Sequence, residues 1–308
     1  MSGDRLDQQI RLPDGRLLGY AECGDPRGRP VFFFHGFPSS RLEGSGLDAV
    51  ARRLGIRLIA PDRPGIGLSD FKEGRTTADW PSDVACLADA LQLARFAALG
   101  GSGGAKYAAA CAALIPERLT AAAIYSCAAP LEGSTAADGE SLRARLGWRA
   151  LRLAAGAPWL TAVAAEAQWR TLRLAPYLYL TLANGHLSAS DQAVLAKFKR
   201  GAARLANLRE AYRSGTRGVA WELLLLARPW GFRLRDIPLR VHLWHGEADL
   251  VTPPSMGRYL AERIPDCVAK FYAEEGHISL LLNHSEEILG ALLTSRTVDP
   301  GPEGNPGS

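Results

Sequence analysis

Short apolar runs alternate with longer amphipathic stretches through the first 130 residues of the chain. Four of the runs are PVFFFHG (30–36), IRLIAPD (56–62), RFAALGG (95–101) and LTAAAIYSCAA (119–129), and none shows the polar–apolar alternation of a sheet with one solvated face. They therefore predict strands that are covered on both faces. The stretches between them, such as SRLEGSGLDAVARRLG (40–55) and TADWPSDVACLADALQLA, carry apolar residues three and four positions apart, which predicts helices.

The succession of strand, helix and strand predicts a mostly parallel sheet. Before it, QIRLPDGRLLGYAEC reads as two strands joined by a turn at Asp14 and Gly15. After Pro130 the strand pattern stops, and it resumes only with LRVHLWHGEAD (239–249) and VAKFYAEEGH (268–277), each followed by a helical pattern. The sequence therefore predicts an α/β fold, with a central sheet of about eight strands flanked by helices and a helical insertion after the sixth strand.

These changes of pattern divide the chain into four parts. We expect a first part of the core at 1–130, a helical segment at 131–234, a second part of the core at 235–296 and a disordered, Pro- and Gly-rich tail at 297–308. The helical segment carries 15 Lys and Arg against 7 Asp and Glu, whereas the whole chain has a formal charge of only +4. The excess of positive charge therefore lies in the insertion.

Composition excludes several classes of protein. The small net charge and the lack of a Lys/Arg block argue against a nucleic acid partner. No apolar stretch reaches the roughly 18 residues of a membrane span and no signal-peptide pattern begins the sequence, so a soluble, cytoplasmic protein is expected. The cysteines are odd in number and lack C-x-x-C spacing, which favours reduced core residues over disulfides. They are Cys23, Cys86, Cys111, Cys127 and Cys267.

Ser102 stands among glycines between a predicted strand and a predicted helix. Gly100, Ser102 and Gly104 fit the pattern G-x-S-x-G. In a tight strand-to-helix turn the serine oxygen is raised clear of the sheet, and the N-terminus of the following helix favours a developing negative charge nearby. The alternative is a Gly-rich connection that contains a serine by chance.

A serine hydroxyl needs a histidine base and a group that orients the base. His277 ends the last predicted strand, at the edge where open parallel sheets bind ligands, and is the best candidate for the base. A lone histidine is more often structural, and His284 fits that description. The segment after the preceding strand offers two acids, of which we favour Asp249 as the orienting group and keep Glu247 as the alternative.

Ser102, Asp249 and His277, in that order, together with the segments HGFP, PDRPGIGLSD, GGSGG and HGEAD, resemble the α/β-hydrolase fold superfamily. The resemblance extends over about residues 8–295 and is closest to cap-containing serine hydrolases and esterases. It implies that the insertion is a helical cap over the site, because the segment leaves and re-enters the sheet at the edge that carries the serine. It also implies a structural role for His35.

The resemblance further implies a two-step acyl transfer. Ser102 attacks a carbonyl carbon while His277 takes its proton and Asp249 holds the imidazole; the backbone N–H groups of Phe37 and Gly103 receive the oxyanion. Water then releases the acid. This mechanism requires no metal and no organic cofactor. The expected function is hydrolysis of a carboxylic ester or lactone of a small to medium apolar molecule.

Departures from relatives narrow this expectation. Ser102 stands where haloalkane dehalogenases and epoxide hydrolases carry an aspartate, so those chemistries are disfavoured. Proline iminopeptidases usually have a tryptophan after the serine and acids in the cap, whereas this chain has Gly103 and a basic insertion. Amide hydrolysis, C–C bond hydrolysis and perhydrolysis use the same residues and stay open. A ligand-binding protein with slow or no turnover is the alternative from another class.

Aromatic residues of the insertion have two interpretations. They can pack the inserted helices together, or they can line the substrate cleft and favour acyl or aryl groups. The sequence alone does not separate the two, and it also leaves the oligomeric state open. The residues concerned are Trp148, Trp159, Trp169, Tyr177, Tyr179, Trp221 and Trp230.

Overall fold

The structure is a computed structural model, and it describes residues 5–131, 142–185, 187–198 and 201–294. The tail that the sequence predicts to be disordered, at 297–308, lies outside the described residues.

A single eight-stranded sheet forms the centre of the described part, with the strand order β1-β2-β4-β3-β5-β6-β7-β8. β2 pairs antiparallel with both β1 and β4, and the other neighbours are parallel. The predicted fold class is therefore confirmed. The strands are β1 (Gln8–Arg11), β2 (Leu17–Gly24), β3 (Arg29–Phe34), β4 (Ile56–Pro61), β5 (Phe96–Gly101), β6 (Leu119–Tyr125), β7 (Val241–Gly246) and β8 (Cys267–Tyr272).

Helices flank the sheet and fill the insertion. Five of the described α-helices belong to the core: α1 (Asp48–Arg53), α2 (Trp80–Ala90), α3 (Ala105–Leu114), α10 (Pro254–Arg263) and α11 (Ser279–Thr294). The others lie between β6 and β7: α4 (Leu142–Ala155), α5 (Pro158–Leu174), α6 (Pro176–Asn184), α7 (Ala189–Phe198), α8 (Gly201–Ala211) and α9 (Arg217–Ala227). No helix in these described ranges is both long and apolar enough to span a bilayer.

The segment 40–55 differs from its predicted single helix. A 3₁₀ helix occupies Arg41–Leu47, and regular α-helix begins only at Asp48. Two glycines weaken the first half, and one of them allows a close approach to the sheet: a Cβ on Gly44 would lie 3.0 Å from the Cβ of Ala60. The apolar spacing was correct, but the glycines favour the tighter winding.

The core has two apolar layers, one on each face of the sheet, and β3 shows why its sequence does not alternate. Phe32 and Phe34 pack into the layer beneath α2, α3 and α10, whereas Phe33 packs into the layer beneath α1 and α11. All three rings are fully buried, and burying one such ring contributes about 1.5–3 kcal/mol. The cysteines are free thiols, but Cys86 and Cys267 are half-buried at the edge of the core rather than within it.

Candidate active site

Ser102 follows the last residue of β5 and begins the turn into α3. Its φ of 52° lies in the left-handed region, which non-glycine residues seldom adopt. Close backbone approach explains the flanking glycines: a Cβ on Gly104 would lie 2.0 Å from the carbonyl oxygen of Phe34, and one on Gly100 would lie 2.4 Å from that of Gly104. The turn therefore holds the serine side chain at the carboxyl edge of the sheet, in front of the N-terminus of α3.

The structure brings three of the candidate residues into one hydrogen-bonded line. Nε2 of His277 lies 3.0 Å from Oγ of Ser102, and Nδ1 of His277 lies 2.8 Å from Oδ2 of Asp249. Asp249 comes from the loop after β7 and His277 from the loop after β8, so three parallel strands deliver the three side chains to one edge. An ionised Asp249 can only accept, which places a proton on Nδ1 and leaves Nε2 free to accept one from Ser102.

Asp249 is fully buried, and its local hydrogen bonds fix its ionised form. Oδ1 accepts the backbone N–H groups of Val251 and Thr252, both at 2.8 Å, and Oδ2 accepts the Thr252 hydroxyl at 2.8 Å. Burial raises the pKa of Asp249, but the charge and the hydrogen bond of His277 and the amide of Thr252 outweigh burial and lower that pKa overall. Nothing in the sequence pattern predicts these hydrogen bonds of Thr252.

Glu247, the alternative acid, is not part of this line. Its side chain is exposed, and its carboxylate accepts a hydrogen bond from the guanidinium of Arg258. Two further histidines lie close by without touching Ser102. Nε2 of His245 donates to the carbonyl oxygen of Thr252 at 2.8 Å. Nδ1 of the buried His35 donates to the carbonyl oxygen of Gly36 at 3.0 Å.

The pKa of His277 reflects opposing effects. Burial lowers the pKa, but the charge of Asp249 and its hydrogen bond to Nδ1 outweigh burial, and the negative charges of Asp191 and Glu43 add to them. The pKa of His277 is therefore raised above that of a solvated histidine. A more basic imidazole is a better acceptor for the proton of a serine hydroxyl, provided that the pH keeps it neutral.

Asp191, on α7 of the insertion, holds the backbone around this histidine. Its Oδ2 accepts the N–H of His277 at 3.1 Å, and its Oδ1 accepts those of Ile278 and Ser279 at 2.7 and 2.8 Å. Asp191 is fully buried. Because Ser279 begins α11, the carboxylate also lies at the positive end of that helix. Nothing in the sequence near Asp191 indicates the contact with this loop, since the N–H groups of His277, Ile278 and Ser279 lie more than 80 residues away along the chain.

Phe37 and Gly103, the residues whose backbone N–H groups the family resemblance assigns to an oxyanion hole, line the same cavity as Ser102. A Cβ on Gly103 would lie 3.5 Å from the backbone nitrogen of Phe37, so the two backbone segments are close neighbours. Arg63 fixes the first of them by donating to the carbonyl oxygens of His35 and Gly36, at 2.6 and 2.8 Å. Because the N–H of a trans peptide points opposite to its carbonyl, holding the Gly36 carbonyl turns the next N–H away from Arg63.

Arg63 belongs to a buried charge cluster that joins the insertion to the core. Its Nε donates to Glu222 of α9 at 2.7 Å, and Glu222 also pairs with Arg75 and accepts the Tyr107 hydroxyl at 2.7 Å. Burial raises the pKa of Glu222, but these cations outweigh it and keep the carboxylate ionised. Burial also lowers the pKa of neighbouring Lys106 to about 7. The segment PDRPGIGLSD, one of those that carry the family resemblance, thus supports the site through Arg63.

A cavity of about 720 Å³ opens in front of Ser102, between the sheet edge and the insertion. Its described lining contains no charged side chain. Its apolar walls include Trp148, Leu151, Leu160, Leu223, Leu226 and Leu250. Of the aromatic residues singled out above, Trp148 reaches it, whereas Trp169 stacks on Tyr212 and Trp221 donates to the Arg75 carbonyl. Within the described ranges, no three His, Cys, Asp or Glu side chains are grouped to hold a metal ion.

Curated relatives share part of the chain. A proline iminopeptidase from Xylella fastidiosa is 35% identical over 116 residues, which are 35% of this chain and 36% of that protein. A non-heme chloroperoxidase from Streptomyces lividans is 33% identical over 124 residues, which are 40% of this chain and 45% of that protein. The matches thus span less than half the length of either relative.

Solved structures match over nearly the whole chain. A hydrolase from Pseudomonas aeruginosa PA01 superposes with a TM-score of 0.67 at 19% identity, covering 96% of this chain and all of the other. The esterase EaEST from Exiguobacterium antarcticum superposes with a TM-score of 0.67 at 18% identity, and the match covers 94% of this chain and 98% of the esterase. At these identities the superpositions show a common fold. The family model described as the alpha/beta hydrolase fold matches residues 29–283. Because this match covers most of the chain and agrees with the observed order of strands, the chain belongs to the α/β hydrolase fold family.

Proposed function

We propose that Ser102, His277 and Asp249 form a catalytic triad that hydrolyses a carboxylic ester or lactone with an apolar acyl or alcohol group. The observation that carries the proposal is the hydrogen-bonded line from Asp249 through His277 to Ser102, with distances of 2.8 and 3.0 Å, at the floor of an uncharged cavity. The geometry meets the requirements for nucleophile, base and orienting acid together.

The chemistry follows from the positions of these groups. The hydroxyl oxygen of Ser102 attacks the carbonyl carbon while Nε2 of His277 accepts its proton, and the N–H groups of Phe37 and Gly103 stabilise the oxyanion. His277 then protonates the leaving alcohol, which breaks the C–O bond and leaves an acyl-enzyme. Water attacks that ester with His277 again as the base, and the acid departs. Asp249 stabilises the imidazolium in both steps.

The segment 131–234 is proposed to act as a cap on this site. Its helices supply most of the cavity wall, including Trp148, Leu223 and Leu226. An apolar wall without charge favours uncharged substrates, because a substrate ammonium or carboxylate loses its hydration there without gaining a partner. The same argument disfavours a peptide with a free N-terminal proline.

Covalent labelling with a fluorophosphonate probe tests the triad directly. The wild-type chain should react rapidly, Ser102→Ala should not react, and Ser45→Ala, which removes an exposed serine of the 3₁₀ helix, should react like the wild type. A folded wild-type chain that stays unlabelled would refute the triad and support the alternative of a ligand-binding protein. Labelling that persists in Ser102→Ala would place the nucleophile elsewhere.

A series of p-nitrophenyl esters tests the substrate class. Each methylene that enters the apolar cavity should add about 0.8 kcal/mol, or about fourfold in kcat/KM, until the cavity is full. Esters that carry a terminal ammonium or carboxylate should be poorer substrates than uncharged esters of equal length. Faster turnover of the charged esters would contradict the proposed substrate class.

A further inference from the structure

Helices α4, α5 and α6 carry an unusual number of exposed apolar side chains. Six large apolar side chains there are between 57% and 81% exposed: Leu153, Trp159, Val163, Leu174, Tyr177 and Leu182. α5 packs against both α4 and α6, so these helices are neighbours. On α5, the steps from 159 to 163 and from 163 to 174 are close to one and three helical turns, which puts those side chains on one side of the helix. We call these six residues the outer cap face.

The same three helices are strongly basic. Residues 142–185 contain six arginines and one glutamate. Arg170 and Arg173 of α5 are exposed, and the glutamate, Glu166, pairs with Arg170 at 2.8 Å. Large exposed apolar patches of soluble monomers usually mark an interaction surface. Here the surface combines apolar side chains, aromatic rings and an excess of positive charge.

The cavity opens beside this face. Leu160, the neighbour of Trp159 along α5, lines the cavity and is 37% exposed. Leu250, which follows Asp249 in the loop after β7, also lines the cavity and is 49% exposed. An apolar ligand can therefore move from a surface that contacts the outer cap face into the cavity along apolar side chains, without full exposure to water.

We propose that the outer cap face docks on an anionic lipid surface and places the cavity mouth against it. Amphipathic helices that lie in the plane of a bilayer bury apolar and aromatic side chains near the headgroups, while arginines attract the anionic lipids. Tryptophan and tyrosine are enriched at that depth. A second copy of the chain fits less well, because a two-fold contact through this face would bring two clusters of arginine together.

The docking goes beyond the proposed ester hydrolysis and does not depend on Ser102, although it names the source of an apolar substrate. Flotation of the full chain with vesicles tests it. The wild type should bind vesicles rich in phosphatidylglycerol at least about tenfold more tightly than vesicles of pure phosphatidylcholine. Ser102→Ala should bind like the wild type, so a failure of the hydrolase proposal leaves the flotation result unchanged.

Variants locate the contact. The double variant Trp159→Gln, Leu174→Gln should bind phosphatidylglycerol vesicles at least about tenfold more weakly than the wild type. The matched control is the double variant Leu114→Gln, Val268→Gln. It removes two apolar side chains that are 44% and 47% exposed but lie outside the insertion, on α3 and β8. This control should bind phosphatidylglycerol vesicles like the wild type. The wild type, the Trp159 and Leu174 double variant and the control should all hydrolyse soluble p-nitrophenyl acetate at the same rate.

Three results would overturn the proposal. The first is equal binding, or no binding, of the wild type to the two kinds of vesicle. The second is unchanged flotation of the Trp159 and Leu174 double variant. The third is a concentration-dependent dimer in sedimentation velocity that this double variant abolishes, which would assign the face to contact between copies of the chain.

Discussion

Replacing Asp191 with asparagine tests whether the insertion positions the histidine. In the structure, Oδ1 accepts the N–H groups of Ile278 and Ser279, and Oδ2 accepts those of His277 and Ser188. An asparagine can keep the first pair with its carbonyl oxygen, but its amide group then faces the second pair, donor against donor. The substitution therefore removes the bond to the N–H of His277 while changing the side-chain volume very little.

The expected loss follows from the number of bonds. A hydrogen bond to a charged group contributes about 1.5–3 kcal/mol, and the variant loses two that are buried but keeps two in a weaker, uncharged form. We expect Asp191→Asn to lower the free energy of unfolding by about 3–6 kcal/mol. If the imidazole then shifts by about 1 Å, kcat/KM should fall by about 100-fold.

The pH profile of kcat/KM separates a specific effect of Asp191 on His277 from a general loss of stability. His277 must be neutral to accept the proton of Ser102, so activity falls as the pH drops through its raised pKa. The negative charge of Asp191 contributes to raising that pKa, and its removal should move the acidic limb of kcat/KM to lower pH. Asp236→Asn, which neutralises an exposed acid, should leave the limb in place. A wild-type melting temperature and an unmoved limb in Asp191→Asn would refute this reasoning.

Three further tests concern the site and its surroundings. Asp249→Asn should lower kcat by about 10⁴-fold in steady-state assays, whereas Glu247→Gln, at the surface, should change it by no more than about twofold; equal losses would contradict the choice of acid. The Cβ of a Gly101→Ala variant would lie 1.9 Å from the ring of buried Tyr125, so this substitution should lower the free energy of unfolding by about 1–3 kcal/mol. Gly290 of α11 faces open space, so Gly290→Ala should raise that free energy by about 0.5–1 kcal/mol. Denaturant titration measures both changes. Burial lowers the pKa of Lys106 to about 7. Between that pH and the pKa of a free lysine, the unfolded chain binds one more proton than the folded chain, so the free energy of unfolding should increase with pH. Lys106→Met should remove this increase.

The sheet, and the candidate residues at the carboxyl ends of its strands, could be predicted because both depend on local sequence. A strand covered on both faces must be apolar throughout, and the three phenylalanines of β3 show that requirement directly. Parallel strands end at one edge, so polar residues just after β5, β7 and β8 are neighbours wherever the fold is parallel. Together with the G-x-S-x-G pattern and the preference for Asp249 over Glu247, that rule predicts Ser102, Asp249 and His277 as neighbours, and the structure brings the three together. Their catalytic role remains a prediction.

The supporting contacts could not be predicted, for two physical reasons. Asp191 and Arg63 act on main-chain N–H and carbonyl groups, which every residue carries, so no side-chain type marks the partner. Helix periodicity shows that a helix has an apolar side, but it does not say which side faces inward. On α5 this matters, because exposed Trp159 and Val163 share the helix with buried Thr161 and Ala165.

The insertion does more than enclose a cavity, because it holds the main chain both beside the proposed oxyanion site and at the proposed base. Glu222 holds Arg63, which fixes the peptide that precedes the Phe37 amide, and Asp191 holds the main chain at His277. Both acids are fully buried, so neither can be removed without leaving polar groups unpaired. We therefore expect changes in the insertion that alter its packing on the core to affect kcat as well as KM, because the groups proposed to stabilise the oxyanion and to move the proton depend on the helices that form the cavity wall.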